Sequence, residues 1–147
     1  MLYGNGRRGK GWDRPVAGDE VHAQRNNTMA GGYAAFHAPR YAYVLNLLAK
    51  LGVNEQTRLL DIGPSRLTLL MRERFGARVD TLGFGNDSAT AAASHFEFDL
   101  NRAQERDSWR ADLPKYDVVV MAEVLQHLYT APELTLAFIK SLLGPKG

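Results

Sequence analysis

The chain has 147 residues and a net charge of +2 from 18 basic and 16 acidic side chains, a balance that disfavours nucleic acid or an anionic membrane as a partner. Apolar residues at 45% against 23% charged are the mixture of a globular domain with one core. The absence of cysteine excludes disulfides, thiolate metal sites and Cys nucleophiles, and His22, His37, His95 and His127 lack zinc-ligand spacing, so no metal is expected.

In chain order, residues 1–30 are rich in Gly, Asn and Arg and carry almost no periodic apolar residues, which predicts a flexible basic arm. Its start, "MLYGNGRRGKGW", lacks the apolar core of a signal peptide, and no later run approaches the roughly 18 apolar residues of a membrane span. A cytoplasmic location without a membrane partner is the expectation.

"HAPRYAYVLNLLAKLG" predicts an amphipathic helix with Pro39 in its first turn, Tyr41, Val44, Leu45 and Leu48 inward and Gly52 as its stop. "TRLLDI" reads as a short buried strand, and "SRLTLLMRERFG" as a helix with Leu67, Leu70 and Met71 inward and Gly76 as its C-terminal cap. "ARVDTLGF", "SHFEFDL" and "YDVVVM" follow as strands, the last a continuous apolar run of the kind buried on both faces. A final helical region begins near Glu123, breaks at "YTAPE" and resumes to Leu143, with Thr130 and Glu133 spaced as a capping box.

Strands alternating with helices predict an α/β fold, a parallel sheet with flanking helices whose ligands bind beyond the carboxyl ends of the strands. The first such end, "LLDIGPSRLTLL", turns at Gly63 into a helix whose free amides suit a carboxylate or phosphate. Asp61 repels phosphate there but can pair with an ammonium group or hold the loop. A dinucleotide fingerprint fails, because Ser65 and Thr68 stand where the second and third glycines belong, and no Walker lysine follows.

Taken together, "LLDIGPSRLTLL", "FEFDLN" and "YDVVVMAEVLQHL" resemble, in order and spacing, the successive motifs of the class I S-adenosylmethionine-dependent methyltransferases. The resemblance covers about residues 31–147 and implies a partial Rossmann-like domain, truncated after the fourth of seven strands and its following helix. It departs from the family pattern at Ser65 and Leu67, where many members have glycines.

By the resemblance, Asp61, Gly63, Pro64 and Ser65 would line the amino-acid end of S-adenosylmethionine, and Asp99 and Leu100 would meet the adenine. Met121 and Glu123 would lie near the methionine moiety, while Tyr33, His37 and Arg40 would close the pocket. "TLGFGND" has no acidic residue at the second strand end, leaving Asp87 for the ribose. His127 and His37 are the imidazoles available as a general base for a small-molecule oxygen or nitrogen acceptor, a glycan or other natural product, with S-adenosylhomocysteine released.

Structural roles stand beside these. Asp61 can cap a turn, Asp99 can end a strand in solvent, His127 can pack on a helix, and Glu123 can complement a helix dipole. An open edge on the fourth strand would also suit a homo-oligomer, or a non-catalytic cofactor-binding or interaction module.

Overall fold

The computed structural model describes the backbone of residues 17–84, 93–145 and 147, and the side chains of 32, 35–84, 93–145 and 147. It divides into two compact units, Met1–Ala38 and Pro39–Gly147. Helix α1, Ala17–Lys50, runs through the boundary. The sequence placed Pro39 in the first turn of a helix, whereas it lies inside α1. A proline there cannot donate to the carbonyl one turn back, and the two units part at this break in the ladder. Of the arm expected over residues 1–30, residues 1–16 lie outside the described residues and those from Ala17 onward belong to α1.

The second unit is built on four parallel strands, β1 (Arg58–Ile62), β2 (Arg78–Gly83), β3 (His95–Glu97) and β4 (Val118–Met121), in the order β3-β2-β1-β4. β1 is central, with Leu60 in register with Asp80 on one side and Val119 on the other. Between β1 and β2 runs α2 (Arg66–Phe75), which ends at Gly76 in the left-handed region, φ 62°. The sequence reads that cap correctly, since only glycine reaches this backbone without a Cβ penalty.

Each face of the sheet carries its own core. On one, Tyr41, Leu45 and Leu48 of α1 join Leu67 and Met71 of α2 over Leu59, Val79 and Val120. On the other, helix α3 (Pro132–Leu142) sends Phe138, Ile139 and Leu142 onto Leu60, Ile62 and Leu82. The Phe138 ring stacks on Phe98 with centroids 4.8 Å apart and meets Trp109 edge-on at 5.6 Å. Burial on both faces explains why the strands are near-continuous apolar runs.

The final helical region differs from expectation. Residues Leu125–His127 form only a 3-10 turn, and α3 is capped at Ala131, with Pro132 in its first turn and no side-chain cap. Thr130 is therefore not in a capping box, and its buried Oγ1 has no hydrogen-bond partner among the described residues. Pro132, ideal at the first helical position, sets the start one residue later. No helix among the described residues is long and apolar enough to cross a membrane.

A polar cluster lies inside the second core. The Asp80 side chain, fully buried, accepts from Tyr116 Oη at 3.2 Å and pairs with Arg78 at 3.5 Å and Arg58 at 3.7 Å. Burial first, and then the Asp80 charge, hold the Tyr116 phenol well above its usual range. Tyr116→Phe should cost about 1–3 kcal/mol by leaving the carboxylate short of a donor. Urea unfolding measures this, and a loss below about 0.5 kcal/mol would mean that the arginines alone satisfy Asp80.

Candidate functional site

The strand order reverses beside β1: the chain steps outward through β2 and β3, then returns to the other side as β4. Such a switch point leaves a crevice at the carboxyl ends of the two diverging strands. Here the two segments that flank the switch point are the turn after β1, residues 63–65, and the segment after β4, residues 122–124.

Gly63 makes the close approach possible. Its φ is 75°, its amide donates to Leu82 O at 2.9 Å, and a Cβ on it would stand 2.8 Å from Val124 Cγ2. A Cβ on Gly83 would lie 3.2 Å from Pro64 Cδ, so the ends of β1, β2 and β4 meet nearly in van der Waals contact.

Asp61 sits beneath this turn, 2% exposed. Its Oδ2 accepts from Thr68 Oγ1 at 2.6 Å, and that hydroxyl accepts from the Ser65 amide at 3.1 Å. Ser65 caps α2, its Oγ accepting from Leu67 N at 3.2 Å. Two of the donors expected to be free for an anion, the amides of Ser65 and Leu67, are thus taken by the helix's own capping box. Burial lifts the Asp61 carboxyl from 3.8 to about 7, against the lowering effect of the Thr68 hydrogen bond. The group therefore changes charge near neutrality.

Beyond β4, Met121 is half-buried against the α3-side core. Glu123 has φ 57°, the sole non-glycine in the left-handed region among the described residues, and its carboxylate forms an ion pair with Arg40. The Arg40 guanidinium lies over the Tyr41 ring, 5.2 Å from its centroid. The Arg40–Glu123 pair thus joins α1 to the segment after β4.

At the end of β3, Asp99 Oδ1 accepts from Asn101 N at 2.9 Å and from Asn101 Nδ2 at 3.0 Å. Asn101 Oδ1 in turn accepts from Tyr129 N at 2.9 Å, tying this turn to the segment after β4. Leu100 is buried in the core. Asp99 also lines a hollow of about 310 Å³ with Phe84, Phe98, Arg102 and Arg110. This hollow does not include Asp61, Gly63 or Glu123; a second, of about 330 Å³, lies by Asn54 and Phe75 near the start of β1.

His127 is exposed on the 3-10 turn after β4. His37 belongs to the first unit, where its ring meets Phe36 edge-on at 5.0 Å. The Tyr33 side chain and Asp87 lie outside the described residues. Among the described residues no group of three or more His, Asp or Glu could hold a metal ion.

Sequence reasoning missed Thr68 and Val124. The spacing of Ser65 and Thr68 was a usable signal for the first, since a capping box joins residues three apart. Nothing local marks Val124, whose role is a contact across the sheet.

Two outcomes are expected. Gly63→Ala should lose about 2–4 kcal/mol, from its left-handed backbone and the Val124 clash together. Gly63→Ala/Val124→Ala should recover only the clash, as measured by thermal unfolding. For Asp61, the folded state holds its proton more tightly than the unfolded one, whose carboxyl titrates at 3.8. The resulting stability is fully present below pH 3.8 and is lost as the pH rises through about 7. Relative to Asp61→Asn, the native chain should lose up to about 4 kcal/mol across that window; parallel pH profiles would refute the buried, proton-holding carboxyl.

No protein-family model, no curated protein and no solved structure matches the chain.

Proposed function

We propose that the protein transfers a methyl group from S-adenosylmethionine to an oxygen or nitrogen of a small-molecule acceptor, such as a glycan or another natural product, in the cytoplasm. The observation that carries this reading is the buried Asp61 beneath the left-handed Gly63, at the switch point of a parallel sheet. The motif resemblance supplies the cofactor, and the β1 turn has the close backbone approach and the buried carboxyl that would suit the ammonium of its amino-acid end.

In this reading, an acceptor lone pair attacks the methyl carbon in line, the carbon–sulfur bond breaks, and its electrons stay on sulfur. S-adenosylhomocysteine leaves. The protein's contribution is positioning and water exclusion rather than a covalent intermediate. Asp61 faces the cofactor ammonium, Gly63, Pro64 and Ser65 shape the turn around its amino-acid end, and Met121 and Glu123 lie near its methionine moiety. Asp99 stands toward the nucleoside end, and exposed His127 is available to take the acceptor's proton.

A second reading is a non-catalytic cofactor-binding or interaction module that associates through the outer edge of β4. It is favoured by the half-burial of Val118, Val119 and Met121, in contrast to a β1 buried almost throughout. On that outer side, the described pairing is a single parallel bridge between Tyr116 and Leu143.

Calorimetric titration with S-adenosylhomocysteine, alongside size-exclusion chromatography, tests both readings. Saturable binding near one per chain, abolished by Asp61→Ala with the fold retained, is the expected result. Binding without turnover across an acceptor panel would favour the module, and a folded sample that binds nothing would overturn both cofactor readings.

A further inference from the structure

The segment between Met121 and Pro132 joins β4 to α3 with little regular structure of its own. Its 3-10 turn, Leu125–His127, has no side-chain cap and buries none of its residues. A stretch with so few buried contacts keeps its place only through the points that tie it down. Val124 closes on Gly63, and Leu128 packs against the α3-side core. The polar tie is the Tyr129 amide, which donates to Asn101 Oδ1 at 2.9 Å across 28 residues of sequence.

Asn101 is oriented for this bond from its other end. Asp99 Oδ1 accepts from both the main-chain N and the side-chain Nδ2 of Asn101, at 2.9 Å and 3.0 Å. A carboxylate oxygen only accepts, so the Asn101 side chain turns its NH2 group toward Asp99 and leaves its carbonyl oxygen for the Tyr129 N–H. One planar amide thus links the end of β3 to the segment that carries the exposed His127. The Tyr129 bond is open to water. A ligand resting against Asp99 would shield this chain of bonds, and a hydrogen bond that water cannot compete for is stronger.

We propose that Asn101 is a positioning residue that couples binding at Asp99 to the placement of His127, so that the nucleoside end of the cofactor fixes the segment meeting the acceptor. The inference rests on the reading of the site as one for S-adenosylmethionine. By linkage the coupling is reciprocal: the factor by which the ligand strengthens the Asn101–Tyr129 bond is the factor that the bond adds to the ligand's affinity.

The test measures hydrogen exchange at the Tyr129 amide with and without S-adenosylhomocysteine, and the ligand's affinity by calorimetry. It compares the native chain with Asn101→Leu, which approximates the side chain's shape and removes its polar atoms. In the native chain the ligand should slow exchange at Tyr129 about five- to tenfold. In Asn101→Leu that amide should exchange faster and ignore the ligand, and affinity should fall by the same factor by which the ligand slowed the native amide. A residue that merely stabilised the fold would not produce this equality. Should Asn101→Leu not fold, the native chain alone decides. A native amide indifferent to bound S-adenosylhomocysteine, a variant amide still slowed by it, or an unchanged affinity would overturn the proposal and leave the cofactor reading intact. A native chain, folded by circular dichroism, that does not bind S-adenosylhomocysteine would overturn the cofactor reading and this proposal with it.

Discussion

The central position of β1 is the constraint from which the site follows. This strand is hydrogen-bonded to β2 and β4 and covered by a core on each face. From Leu59 to Ile62 the strand is almost sealed from water, so the one ionisable side chain there, Asp61, has to find a partner inside the protein. Asp61 finds Thr68, a residue of the helix that leaves the same strand. One hydroxyl joins the strand, the turn and the first turn of α2, because Thr68 Oγ1 bonds both Asp61 and the Ser65 amide.

Two buried carboxylates on neighbouring strands show how surroundings assign different chemistry to one residue type. Asp80 lies within reach of two guanidinium groups and a phenol, which makes it part of the scaffold. Asp61 has a hydroxyl for a partner and holds its proton up to about pH 7. A carboxyl in that condition gains when an ammonium group arrives, since the incoming charge offsets the cost of ionising it in a dry place. The two carboxyls thus differ in the partners that surround each.

The turn that carries the candidate site was legible from the residues alone. An apolar strand ending in Asp, Ile and Gly, followed by a helix start, located the β1 turn, and Gly63 does occupy the left-handed region that such a turn requires. The amides read from the sequence as free for an anion are in part taken, because Ser65 and Thr68 spend their polar atoms on the helix itself. Arg40 and Glu123 were each singled out separately. Their pairing depends on how α1 lies against the end of β4, which no local pattern encodes.

The sequence by itself determined the alternation of strands and helices, the glycine turns at Gly63 and Gly76, and the inward faces of α1 and α2 around Leu45, Leu48, Leu67 and Met71. These follow from spacing and from the conformational freedom of single residues, both of which act over a few positions. It misplaced the starts of α1 and α3, where prolines are compatible with more than one helix position. Only the tertiary structure decided that Val124 would close on Gly63, that Arg40 would meet Glu123, and that Tyr116 would reach Asp80 from 36 residues away. Those contacts join distant parts of the chain, and their partners are chosen by strand order and register rather than by neighbours in sequence.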